Sequence, residues 1–171
     1  MEFKYAITGH TRGIGHKLYE RLRPNIIGFS RSTGYDIRTS EGRQRIIQES
    51  SECNIFINNA ANLVDMSQVE LFIELFDAWK NLDKTIINVG STITDQLILL
   101  PHQIHLLKYQ SQKILLKTIS ARFNLLSKSC KVRYRTFGYV HTESIRKAYQ
   151  DITINDKFIT EDEAVNIILS P

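Results

Sequence analysis

Cysteine is nearly absent: Cys53 and Cys130 are the only two thiols in a chain of 171 residues. Two thiols supply neither a metal-ligand cluster nor the paired ladder of a small secreted scaffold, so both read as buried small hydrophobes in a reducing compartment. Long apolar runs are lacking as well. No stretch approaches the roughly 18 residues a membrane span needs. Residues 3–8 form a strand-like run with none of the charged flank and apolar core of a signal peptide. These features predict a soluble, cytoplasmic protein with no membrane partner. The formal net charge is +4, yet no block of about five or six like charges occurs, and no nucleic-acid partner is expected. His10, His16, His102, His105 and His141 lack any ligand spacing with cysteines or carboxylates, which predicts no metal site. Repeats, low-complexity tracts and linkers are also missing. With 42% of its residues apolar, the chain reads as one domain over residues 1–171 with a substantial core.

What is present is an alternation of short β-branched runs and helical periodicities. Residues 3–8 read as a strand, followed by a glycine-bearing turn and a helix in which Ile14, Leu18 and Leu22 recur at helical spacing, closed by Pro24. Residues 25–29 form a second apolar run suited to a buried parallel strand. A turn at Ser32-Thr33-Gly34 leads to Tyr35-Asp36-Ile37 and then to a helix over residues 40–49, with Ser40 as its N-cap. Too few residues separate the second strand from Asp36 for a full crossover helix. Strands follow at residues 54–57, 85–89 and 132–136. An amphipathic helix spans residues 67–80, and after a loop with Pro101 a long helix runs to Leu126, with Ile104, Leu107, Ser111, Ile114, Leu115, Thr118 and Ile119 on one face. Residues 160–169 form a short helix opened by the capping-box pair Thr160 and Glu163. The pattern predicts a three-layer α/β fold, a doubly wound parallel sheet with helices on both faces.

The first chemical motif is Thr8-Gly9-His10-Thr11-Arg12-Gly13-Ile14-Gly15, where the first strand meets the first helix. Gly9 permits the tight turn, Gly13 lets the backbone approach a pyrophosphate, and Gly15 lets the helix pack closely on the sheet. The helix N-terminus then offers unpaired N–H groups and partial positive charge to phosphates. Taken alone, such a glycine pattern also fits an ordinary βα turn.

Here the chain resembles the short-chain dehydrogenase/reductase family, and the likeness recurs in family order. Asp36-Ile37 is similar to the acidic position that contacts the adenine amino group. Asn58-Asn59-Ala60-Ala61 resembles the Asn-Asn-Ala-Gly motif, with Ala61 replacing the last glycine. Asn88-Val89-Gly90-Ser91 is similar to the strand end that carries the catalytic serine, and Tyr109-Gln110-Ser111-Gln112-Lys113 has the Tyr-x-x-x-Lys spacing. Phe137-Gly138, Val140 and Thr142 fall where the family has Pro-Gly and a cofactor-contacting threonine. The resemblance implies a Rossmann-type domain in which Ser91, Tyr109 and Lys113 are catalytic and in which Gly9, Thr11, Arg12, Gly13, Ile14, Gly15, Ser30, Arg31, Ser32, Asp36, Ile37, Asn59, Ala60, Ala61, Tyr109, Lys113, Gly138, Val140 and Thr142 bind the cofactor. It also implies a homodimer through the helix at residues 67–80 and the Tyr109 helix.

Residues four apart on a helix share a face, so Lys113 can lie near the Tyr109 phenol. A neighbouring ammonium favours the phenolate and would lower a pKa that is ordinarily near 10. Tyr109 would then serve as general acid for a carbonyl oxygen or base for an alcohol, with Ser91 bonding the same oxygen. On a helix without the other motifs, a Tyr/Lys pair at this spacing is usually a solvated face. After the second strand, Ser30-Arg31-Ser32 contains no carboxylate for an NAD ribose. Arg31 and Arg12 suit the 2′-phosphate of NADP instead, so NADP(H) is the expected cofactor and NAD(H) the alternative.

The chain is shorter than the family pattern. About six strands are expected, with one crossover helix missing and the final C-terminal strand absent. The interval from Ser91 to Tyr109 is long, which leaves Thr92 and Thr94 as alternatives to Ser91. Asn62 and Asn81 are both poorly placed for the family's catalytic asparagine. The sequence reading is an NADP(H)-dependent oxidoreductase acting on a small carbonyl or alcohol, against the alternative of a dinucleotide-binding sensor or scaffold with a weak or inactive site.

Overall fold

Five of the β-branched runs pair into a sheet: β1 (Tyr5–Thr8), β2 (Ile26–Phe29), β3 (Ile55–Asn58), β4 (Thr85–Val89) and β5 (Lys131–Arg135). The computed structural model describes residues 3–95, 104–140, 142 and 158–171. Within these residues all four pairings are parallel, in the order β2-β1-β3-β4-β5. Successive side chains leave a strand on opposite faces, and the register turns this alternation into two cores. Ala6, Phe56 and Ile86 enter one core together with Phe29 and Val132, whereas Ile7, Ile57 and Ile87 enter the other. The first is covered by α2 (Ser40–Glu49), α3 (Ser67–Trp79) and α4 (Ile104–Leu126), the second by α1 (Gly13–Leu22) and α5 (Glu161–Leu169). The fold is therefore the three-layer, doubly wound architecture the sequence predicts.

Trp79 belongs to the core, edge-on to Phe56 at 6.0 Å, and Phe76 stacks on Phe123 at 4.1 Å. Cys53 and Cys130 are buried free thiols. The capping box at Thr160 and Glu163 is present at the start of α5. Arg21 donates to Asn166 across the α1 and α5 interface.

The structure corrects the sequence reading at several points. Tyr35-Asp36-Ile37 pairs with no strand, and the described sheet has five strands where about six were expected. A parallel neighbour for β2 would need a crossover of about a dozen residues, and between β2 and α2 the chain has room only for a short 3-10 turn at Arg31–Thr33. Tyr35 instead folds over the edge. It packs against Phe29 at 4.9 Å and donates from its hydroxyl to Glu49 on α2 at 2.6 Å. The N-cap of α2 is Thr39, whose hydroxyl accepts from Gly42 N–H at 3.0 Å; Ser40 is already inside the helix.

Most of the apolar face expected on the long helix points away from the sheet, although Ile119 is half-buried and packs against the first core. Leu107, Ile114 and Leu115 are 40%, 45% and 39% exposed, and Ser111 and Thr118 are also exposed, whereas Gln112, Lys113, Leu116 and Ser120 are buried. The Ile104 side chain, the Pro101 loop, His102 and His141 lie outside the described residues. Polar groups occupy the inner face because partners await them on α3 and β4, as described below.

The chain runs from β1 outward to β2 and then returns to β3 on the other side of β1. At such a reversal the connections diverge and leave a crevice beyond the carboxyl ends of the strands. The helix that borders it sits hard against the first turn: a Cβ on Gly15 would lie 2.1 Å from the Gly9 carbonyl oxygen. Gly15→Ala is expected to cost about 1–3 kcal/mol or more, as overpacking does. Chemical denaturation would register this as a lowered midpoint, and unchanged stability would contradict the contact.

Candidate active site

The crevice is shaped by one hydroxyl. Thr8 Oγ1, at the end of β1, accepts from the backbone N–H groups of Asn59 at 3.1 Å and Ala60 at 3.0 Å. The Asn59 side chain donates back to the Thr8 carbonyl at 3.0 Å. The glycine loop after β1 and the Asn-Asn-Ala-Ala turn after β3 are thereby locked together. Gly9 has φ +77°, the left-handed conformation that a glycine tolerates. No side chain caps the N-terminus of α1, which leaves its first N–H groups available to an anion.

Most of the predicted cofactor contacts share one cleft of ≈ 560 Å³. Gly9, Thr11, Arg12, Ser30, Arg31, Ser32, Asp36, Ile37, Ala60 and Ala61 all line it. Gly13 faces Thr142 at the rim, with 3.4 Å between the place of a Cβ and the threonine methyl. Other predicted contacts have different surroundings. The Asn59 side chain is committed to Thr8, Ile14 packs against the second core, and Val140 is buried there and bridged to Ile159. Gly138 is exposed.

The charge in this cleft is mostly positive. Arg12 and Arg31 are exposed on its wall and form no ion pair among the described residues. Arg38, which the sequence reading did not single out, joins them and grips Asp36. Its Nε donates at 2.9 Å and 3.0 Å to the two carboxylate oxygens. Hydrogen bonding to Arg38 holds the Asp36 pKa down to about 2, with Arg31 adding to the effect. A carboxylate so engaged balances one of three guanidinium groups. The cleft therefore suits a polyanion such as a dinucleotide, with the uncapped helix facing it.

Ser91, Tyr109 and Lys113 form a second cluster beyond the ends of β4 and β5. The Ser91 hydroxyl accepts from Ile93 N–H at 3.3 Å and acts on the Tyr109 phenol, favouring its phenolate. A 3-10 turn at Thr92–Asp95 holds Ser91 in place. Thr92 N–H donates to Phe137 O at 3.1 Å, and Gln110 on α4 reaches Ile93 O at 2.7 Å. Of the alternatives to Ser91, Thr94 spends its hydroxyl on the Ser91 carbonyl and Asp95. Tyr134 on β5 completes the floor, its hydroxyl donating to the Lys113 carbonyl at 3.5 Å. Burial pushes the Tyr134 pKa up to about 12.

Lys113 lies inside the protein, only 2% exposed. Its Nζ sits 5.3 Å from the centre of the Tyr109 ring, donating to Gln68 Oε1 at 2.7 Å and Val89 O at 2.9 Å. Burial alone pulls its pKa down to about 7. The Tyr109 pKa is raised by burial, against the lowering effect of the Ser91 hydroxyl. The sequence reading expected the neighbouring ammonium to lower it. Burial outweighs any such lowering, and two of the Nζ protons go to Gln68 and Val89 instead. Asn62 is bonded to Asp65, and Asn81 is exposed past the end of α3, so neither reaches the cluster.

Gln68, Tyr134 and Arg38 are the site residues the sequence reading missed. Gln68 had a readable signal, because it lies on the same helical stripe as Leu71, Phe72, Leu75 and Trp79, where a lone polar side chain needs a buried partner. Arg38 and Tyr134 had none.

No family model and no curated protein matches the chain. Among solved structures, it is similar to a short-chain dehydrogenase from Burkholderia cenocepacia in complex with NADP, at 19% identity and a TM-score of 0.75, covering 98% of this chain and 83% of that one. An apo SCOR enzyme from Clostridium thermocellum matches at 16% identity and a TM-score of 0.75, covering 99% and 85%. A small-chain dehydrogenase in complex with NADPH matches at 13% identity and a TM-score of 0.72, covering 96% and 88%. Among the described residues no helix is long and apolar enough to cross a membrane, and no cluster of His, Cys, Asp and Glu could hold a metal ion. The chain has the fold of the short-chain dehydrogenase/reductases, in an abbreviated form.

Proposed function

We propose that the protein is an NADP(H)-dependent oxidoreductase that reduces a small carbonyl compound or oxidises the corresponding alcohol. The observation that carries this reading is Tyr109 set beside both Lys113, whose Nζ lies 5.3 Å from its ring centre, and the Ser91 hydroxyl, which favours its phenolate, in a protein whose arginine-rich cleft opens at the carboxyl ends of the strands. Bound in that cleft, the dinucleotide would supply or accept the hydride. The open N–H groups of α1 and the glycine loop hold its pyrophosphate, and Arg31 with Arg12 meets the 2′-phosphate. The three residues after β2, Ser30, Arg31 and Ser32, offer no carboxylate to an NAD ribose.

Tyr109 handles the proton. Because burial raises its pKa, it rests protonated at neutral pH, which equips it to donate to a carbonyl oxygen that Ser91 also hydrogen-bonds. In the reverse direction the same phenol takes the alcohol proton. Lys113 supports it from below. The exposed apolar face of α4, with Leu107, Ile114 and Leu115, is in this reading half of a homodimer contact shared with α3. Two buried thiols suit a reducing compartment, and we assign the protein to the cytoplasm on that ground.

NADPH should raise the melting temperature more than NADH does, and Arg31→Ala should weaken NADPH binding about 10–100-fold, the worth of a charge-assisted bond, while leaving NADH binding nearly unchanged. Equal affinity for both cofactors in the parent protein would overturn the phosphate assignment. On any carbonyl that is turned over, Tyr109→Phe should reduce kcat about 10²–10⁴-fold; full activity in that variant would remove Tyr109 from the reaction. For the dimer, Ile114→Glu should give a monomer by light scattering, and a parent chain that is itself monomeric at working concentration would refute the interface.

A further inference from the structure

The mechanism just proposed leaves one buried group unexplained. Gln68, on the first turn of α3, is fully buried, and its side chain is saturated with bonds to the active-site floor. Its Nε2 donates to Asn58 O at 2.8 Å and Val89 O at 3.2 Å, which fixes the orientation of the amide. Its Oε1 is thereby turned toward α4, where it accepts from Lys113 Nζ at 2.7 Å. Asn58 Nδ2 braces the same turn, donating to the Gln68 carbonyl at 3.0 Å and to Asn88 Oδ1 at 2.9 Å. Asn88 in turn donates to Ser120 on α4 at 2.9 Å. One set of side chains therefore runs from Lys113, beneath Tyr109, to Gln68 on α3 and through Asn58 and Asn88 on β3 and β4 back to Ser120 on α4.

We propose that Gln68 is the positioning residue for Lys113: its amide oxygen fixes where Nζ sits and sets whether the lysine carries a proton when Tyr109 works. The inference rests on the enzymatic reading above and names a residue that serves it without touching substrate. An ammonium has three donor protons. Gln68 and Val89 take two of them, which leaves the third for the Tyr109 side, where the ring centre is 5.3 Å away. The groups that face Lys113 are few. Tyr109 stands on its own helix, Tyr134 and the Ser91 backbone stand on the β5 and β4 side, and Gln68 stands on α3. The carboxylates nearest in the chain fold are engaged elsewhere, Asp65 by Ser67 and Asn62, and Asp95 by Lys117 and Thr94. Among the described residues no carboxylate bonds the lysine, and a neutral amide oxygen is the side-chain partner of its charged form. Loss of that acceptor disfavours the ammonium, and a carboxylate in its place favours it.

The test reads the lysine directly and needs no substrate. The full-length protein is labelled with 15N-lysine, the Lys113 signal is assigned by its loss in Lys113→Arg, and its midpoint is followed by NMR against pH in the parent, in Gln68→Glu and in Gln68→Met. Gln68→Glu is expected to raise the midpoint by about one unit or more, a tenfold gain in proton affinity, and Gln68→Met to lower it. A midpoint that stays put in both folded variants overturns the inference. If neither variant folds, the parent decides. A Lys113 ammonium whose protons are protected from exchange at pH 6 supports the proposal, and one that exchanges as fast as the surface lysines overturns it. NADPH binding to the parent is measured separately: if it is absent while the Lys113 midpoint responds to Gln68, the enzymatic reading fails and the positioning role stands.

Discussion

A lysine ammonium buried without a carboxylate is expensive, and its neighbours in this molecule are arranged around that expense. Taking a charge out of water costs several kcal/mol unless hydrogen bonds or deprotonation offset it. Both offsets operate at Lys113: two acceptors reach its Nζ, and burial brings its pKa to about 7, where proton loss is easy. The acceptors in turn need fixed positions. Gln68, Asn58, Asn88 and Ser120 supply them across three layers of the fold, which places a polar seam in what would otherwise be the apolar interface between sheet and helices.

That seam explains why polar residues share the inner face of α4 with Leu116, Ile119 and Phe123. A helix packed on a sheet ordinarily faces it with leucines and isoleucines. Here the inner positions are Gln112, Lys113, Leu116 and Ser120, and the outward ones include Leu107, Ile114 and Leu115. Gln112 contributes to the same logic by donating to the backbone carbonyls of Asn62 and Asp65, which ties the turn after β3 to the helix. The site chemistry shares the inner face with Leu116, Ile119 and Phe123, and Leu107, Ile114 and Leu115 are left at the surface.

This is also where the sequence misleads. The strands and the order of layers were legible because β-branched runs in a parallel sheet are buried on both faces and stand out from their surroundings. The glycine loop and the Tyr109 and Lys113 pair were legible because their spacing is dictated by turn geometry and helical pitch. Periodicity, in contrast, reports where apolar residues share a face and not which partner covers that face. On α4 the two questions have different answers. Asp36 shows a different limit. Its position could be read, but its engagement by Arg38, two residues on, depends on a side-chain conformation that no pattern encodes. Asn59 could likewise be placed beside the cofactor cleft, while the bond that takes up its side chain joins residues of two strands.

The shortened passage from β2 to α2 has a mechanical side. In this one segment, Arg31, Asp36 and Arg38 border the cleft while Tyr35 clamps the margin of the sheet through Phe29 and Glu49. β2 has no strand beyond it among the described residues, and an open strand edge is a template for unwanted pairing with another chain. A substitution that loosened the Tyr35 clamp would thus disturb charge placement in the cleft and expose β2 together. Compression of the fold at this end has given a single short loop two duties that cannot be altered independently.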